Sequence, residues 1–119
     1  MKCKVILNNG KPDGYFTAKG ELNLGPTGFG LFYDLDGDKC LLRYENGELV
    51  QERRGSVPMV MRFKLGQETS CTLGLGANRG SFPVFTNKLN IKNDDKSVDV
   101  QLNYMCGGEN ITLEIIAKA

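Results

Sequence analysis

Apolar and polar residues alternate with period two along most of the chain, the signature of half-buried strands. Over residues 15–24, Phe16, Ala18, Gly20, Leu22 and Leu24 share one face, while Tyr15, Thr17, Lys19, Glu21 and Asn23 share the other. Over 97–106, Val98, Val100, Leu102, Tyr104 and Cys106 oppose Asp99, Gln101, Asn103 and Met105. Over 110–118, Ile111, Leu113, Ile115 and Ala117 oppose Thr112, Glu114, Ile116 and Lys118. Less regular runs place Phe29, Leu31, Tyr33 and Leu35 on one face, and Cys40, Leu42 and Tyr44 on one face of the next strand. A further strand carries Val57, Met59, Met61 and Phe63, and a longer one Phe85, Asn87, Leu89 and Ile91.

Turn residues punctuate these runs. Asp36-Gly37-Asp38, Asn46-Gly47, Asn93-Asp94-Asp95 and Gly107-Gly108 are hairpin material, and Asn46-Gly47 is the strongest, because a type I′ turn needs positive φ at both central residues. About ten strands result, and no 3.6-residue period is long enough for a helix. That many strands must close or curl to protect their edges. The predicted fold is therefore all-β: a single closed or nearly closed antiparallel up-and-down barrel of about 8–10 strands. A two-sheet sandwich is the alternative that pattern alone leaves open.

With 119 residues the chain is read as one domain, 1–119, since halves of about 60 residues would have marginal cores. Fifteen Lys and Arg balance fourteen Asp and Glu, which argues against a nucleic-acid carrier or a polybasic membrane binder. Histidine is absent, so histidine-based triads and two-histidine metal sites are excluded. Near the start only Val5-Ile6-Leu7 is continuously apolar. That is too short for a secretory signal, and nothing approaches the roughly 20 apolar residues of a membrane span. A cytoplasmic protein is expected. Cys3, Cys40, Cys71 and Cys106 form no CxxC pair, so they read as buried free thiols and not as zinc ligands.

Three groups carry candidate chemistry. The string Asp34-Leu-Asp36-Gly-Asp38 through Glu45 matches the acidic positions of an EF-hand loop, but Lys39 occupies the place of the turn glycine and the flanks read as strands. A hairpin tip with solvated acids is the expectation. At Arg53-Arg54, alternation sends only one side chain inward, and Arg53 shares a face with Leu49 and Gln51. Arg53, with the inward tyrosines Tyr33, Tyr44 and Tyr104, is the candidate ligand-binding set: a guanidinium able to grip a carboxylate or phosphate bidentately. The bland reading puts that arginine at the barrel rim, with the hydroxyls on solvent or backbone. Gly74, Gly76 and Gly80 superficially suggest a phosphate loop, yet no helix pattern follows.

Several segments, in order and spacing, resemble the YwiB-like family of small bacterial proteins. They are Thr17-Ala-Lys-Gly20, Leu31-Phe-Tyr33-Asp, Val50-Gln-Glu-Arg53-Arg-Gly55, Met61-Arg-Phe63, Gly80-Ser-Phe-Pro-Val84-Phe-Thr86-Asn-Lys-Leu89 and Leu102-Asn-Tyr104. The resemblance spans about 100 residues and implies a calycin (lipocalin-like) barrel. The chain departs from the family pattern over Cys71–Gly80, where an aromatic residue and a Thr-x-Tyr-Gly approach are expected. The family has no agreed activity, so the resemblance implies a fold and leaves function open. The functional expectation is a non-enzymatic module holding a small apolar or amphipathic ligand, a carboxylate among the candidates, inside the barrel. It needs no cofactor and no metal. The alternative is a structural or protein-interaction barrel with a filled core and a surface partner.

Overall fold

The computed structural model describes residues 1–74 and 79–119. It contains β1 (Lys2–Asn8), β2 (Tyr15–Leu24), β3 (Gly28–Leu35), β4 (Asp38–Glu45), β5 (Glu48–Arg54), β6 (Met59–Lys64), β7 (Glu68–Leu73), β8 (Gly80–Asn93), β9 (Ser97–Cys106) and β10 (Glu109–Lys118). Each strand pairs antiparallel with its sequence neighbours, and β1 pairs with β10 to close the barrel. The meander expected from alternation is therefore the observed fold, and closure leaves no terminal strand edge.

Local chemistry explains the hairpins. Asn46 and Gly47 adopt φ of 53° and 77°, the geometry whose twist matches the flanking strands. Two further two-residue turns, Asp36-Gly37 and Gly107-Gly108, also have both residues at positive φ. At the β8–β9 turn, Asp94 Oδ1 accepts the Lys96 amide at 2.8 Å and the Ser97 hydroxyl at 2.9 Å, and these bonds hold its carboxyl below the usual carboxylate range.

The inward faces match the alternation on most strands. Phe63, Leu22, Leu31, Leu42, Leu49, Leu102 and Ile115 are fully buried. The Phe63 ring packs on Tyr104 with centroids 4.9 Å apart. Two expectations need correction. The strand through Met59 starts there, and Val57 is exposed in the preceding loop. On β8, Phe85 and Asn87 are not part of the inward face of Leu89 and Ile91. Thr86 opposes Tyr104 and Lys88 opposes Asn103, so a bulge at Asn87 inserts one residue. Val84 and Thr86 point inward before it, and Leu89 and Ile91 after it.

The acidic string resembling an EF-hand loop is split between the tip of the β3–β4 hairpin and the length of β4. Asp38 and Glu45 stand at opposite ends of β4, seven residues and about 23 Å apart at the usual strand rise. Asp34 pairs with Lys39 at 3.1 Å, and Asp38 with Arg53 at 2.6 Å. These acids cannot converge on one cation.

All four cysteines are free. Cys3, Cys40 and Cys71 are buried, and burial raises each thiol above its ordinary value, while Cys106 is only half-buried. Thiolates are the reactive species, so burial and raised pKa both protect the first three. In the native protein a thiol reagent should modify Cys106 first. After denaturation without reduction all four should react. Mass spectrometry of the labelled chain reads both outcomes, and fast native labelling of Cys40 would contradict the packing described above.

Candidate functional site

β2 and β3 pair only from Gly20 opposite Tyr33 down to Leu24 opposite Phe29. The first half of β2, Tyr15 to Lys19, pairs with β1 alone. Here the wall opens into a cleft of about 1290 Å³. Inward-facing Cys3, Ala18, Gly20, Tyr33 and Cys40 line it, together with outward-facing Phe32 and the charged side chains around the opening.

The floor is organised by strand register. Cys3 opposes Gly20, Gly20 opposes Tyr33, Tyr33 opposes Cys40, Cys40 opposes Arg53, and Arg53 opposes Met59. One transverse row of inward positions thus crosses six strands. Gly20 has a clear reason to be glycine: a Cβ there would stand 2.5 Å from the Phe32 carbonyl oxygen and 2.9 Å from Val5 Cγ2. Burial pushes the Tyr33 hydroxyl up to about 12, reinforced by Cys40 and opposed by the Gln51 side chain and the Arg53 charge. Tyr33 is therefore a neutral hydroxyl at any ordinary pH, fit to donate or accept one hydrogen bond.

The four residues singled out from the sequence do not form one constellation. Tyr33 is in the cleft floor. Arg53 points to the same side as Leu49, as alternation requires, while Arg54 is 79% exposed. The Arg53 guanidinium is already engaged: its Nε donates to Asp38 Oδ2 at 2.6 Å, and it does not line the cleft. Tyr44 sits toward the other end of β4, its ring 6.1 Å from that of Phe29, in a separate smaller hollow. Tyr104 is packed against Phe63 in the core. Glycines 74 and 80 flank residues 75–78, so the glycine-rich loop expectation, including Gly76, lies outside the described residues.

What the alternation did not single out is the cleft's charge. Lys2, Lys4, Lys19, Lys39 and Lys118 line it, with Glu21 and Asp34 as the acidic side chains. A chain with fifteen cationic and fourteen acidic side chains thus sets five cationic side chains against two acidic ones at one opening. Near-neutral net charge hid this asymmetry, because it appears only once β1 and β10 are paired.

This closed ten-strand meander finds its match among known proteins. The family model described as Domain of unknown function (DUF1934) matches residues 9–109. The chain belongs to that family. No curated protein matches the sequence. Among solved structures, the crystal structure of ywiB protein from Bacillus subtilis is similar over 99% of this chain and 89% of that one, with a TM-score of 0.77 and 16% identity. The DUF1934 chain therefore has the YwiB-like, calycin-type barrel that the sequence segments implied. Among its described residues no helix is long and apolar enough to cross a membrane.

Proposed function

We propose that this DUF1934 barrel is a non-enzymatic binding module for a small amphipathic anion, taken up through the cleft between β2 and β3. One observation carries the reading: the cleft combines an apolar floor of inward residues with a basic rim. Its apolar part, lined by Cys3, Ala18 and Gly20, would receive a hydrocarbon portion, and the lysines would face an anionic head. The barrel axis below this row is filled by Phe63, Leu31, Leu42 and Leu102, which supports a ligand seated at the wall rather than along the axis. Four free thiols support a cytoplasmic location.

The filled core equally favours a second reading, a structural barrel whose partner is a protein on its surface. Displacement of a fluorescent fatty-acid probe separates the two. The parent should bind the probe, and Ala18→Trp, which fills the floor, should weaken binding about tenfold or more, the loss expected when a small apolar pocket is closed. Arg53→Ala should leave binding within about twofold, because that charge is already paired with Asp38. Native mass spectrometry of protein purified from its own host should show a bound small molecule. No binding by the parent protein favours the surface-partner reading.

A further inference from the structure

We infer that the head group taken by the cleft is a phosphomonoester dianion, held by a ladder of lysines across the barrel seam. The inference rests on reading the cleft as a small-molecule site and adds the ligand's head chemistry to it. Strand register places Lys4 directly opposite Lys19 on β2 and directly opposite Lys118 on β10. Side chains so opposed have Cβ atoms about 5 Å apart, and like charges in that arrangement repel. Lys2 adds a fourth ammonium two residues along the same face of β1. All four are exposed and all line the cleft.

Lys2 stands opposite Glu21, but the three central lysines, Lys4, Lys19 and Lys118, have no acid directly opposite them. Asp34 is held by Lys39 at 3.1 Å, and Glu21 by the Met1 amine at 2.8 Å. None of Lys2, Lys4, Lys19 and Lys118 forms an ion pair among the described residues. Lys118 lies within Coulombic reach of Asp94 and Asp99, but hydrogen bonds set the lowered carboxyl of Asp94, and burial raises that of Asp99. Lys4, at the centre, has a lysine on either side. A row of like charges built across three strands by the closure of the barrel is relieved by an anion of more than one charge.

A phosphomonoester fits better than a carboxylate. It carries close to two charges at neutral pH and three acceptor oxygens, so several ammonium groups can share it. A carboxylate offers one charge and two oxygens. Lysine acts as a point charge without planar geometry, and that suits a tetrahedral head approached from several sides. The Phe32 ring and the apolar floor beside the ladder leave room for an attached hydrocarbon.

The test compares dodecyl phosphate, dodecanoate and inorganic phosphate by calorimetry at low salt, with parent protein and Lys4→Gln. Dodecyl phosphate should bind about fivefold more tightly than dodecanoate, the effect of one extra charge near three partly screened ammonium groups. Lys4→Gln should weaken dodecyl phosphate more than dodecanoate and so erase that preference. The same variant, without ligand, should melt higher than the parent at low salt, and added salt should remove the difference. Equal parental affinity for the two amphiphiles, or a preference that survives Lys4→Gln, overturns the dianion and leaves the small-molecule reading standing. If inorganic phosphate binds and neither amphiphile does better, the ladder stands and the amphipathic reading falls. If nothing binds, both fall. Co-sedimentation with phosphatidic acid vesicles distinguishes a membrane headgroup from a free phosphate ester. Sedimentation reversed by Lys4→Gln assigns the phosphate to a lipid surface, and binding of dodecyl phosphate without sedimentation assigns it to a soluble ligand.

Discussion

Phe63→Ala should cost about 4 kcal/mol of stability, the cost typical of removing a buried aromatic ring from a core. For a domain of this size that corresponds to a fall in melting temperature of roughly 15 °C. Phe63 is fully buried at the middle of the barrel, opposite Leu49 and packed on Tyr104. Removing its ring leaves a void whose walls belong to hydrogen-bonded strands, which cannot collapse without breaking register. Total stabilities of about 5–15 kcal/mol leave little margin for such a loss. Phe32→Ala is the contrast. Phe32 is 49% exposed on the outer face, so it should change stability by less than about 1 kcal/mol. Its place in the cleft lining means that probe binding should fall instead. Thermal melting followed by circular dichroism, alongside probe titration, measures both. If the two phenylalanines proved equal in stability, the barrel centre would not be the core.

Much of this core was legible because alternation is a local property. Val98, Val100, Leu102 and Tyr104 are inward as their spacing implies, and Asn46-Gly47 forms the turn that its residues favour. The error on β8 has an equally local cause. A bulge at Asn87 shifts the period by one residue, and no residue type in Thr86-Asn87-Lys88 marks that event. Inward Arg53 could be read from Leu49, but its partner Asp38 could not, because the contact depends on the β4–β5 register. The lysine ladder was less legible still. Lys4, Lys19 and Lys118 are scattered along the chain and meet only through the closure of β1 on β10. Sites built by cross-strand register carry no motif, so composition averaged this one into a neutral chain.

Gly20→Ala should lower stability, and Gly30→Ala should raise it, although both glycines lie in strands paired with each other. Replacing glycine by alanine restricts the unfolded chain and is worth about 0.4–1 kcal/mol of stabilisation wherever the new methyl group fits. At Gly30 nothing lies within 4 Å of the added carbon, so that gain should appear as a melting temperature a few degrees higher. At Gly20 the methyl group would meet the Phe32 carbonyl oxygen at 2.5 Å and Val5 Cγ2 at 2.9 Å. A backbone oxygen cannot move aside as a flexible side chain does, so β2 and β3 must part. Overpacking of this kind costs about 1–3 kcal/mol, enough to outweigh the entropic gain and lower the melting temperature by several degrees. The strain falls where β2–β3 pairing begins and where Tyr33 and Cys40 form the cleft floor. Probe affinity should therefore drop several-fold in Gly20→Ala at a temperature where the variant is still fully folded. Gly30→Ala should bind as the parent does. A Gly20→Ala protein as stable as the parent, with unchanged binding, would show that β2 and β3 do not meet as tightly as described and that the cleft floor is not set by this contact.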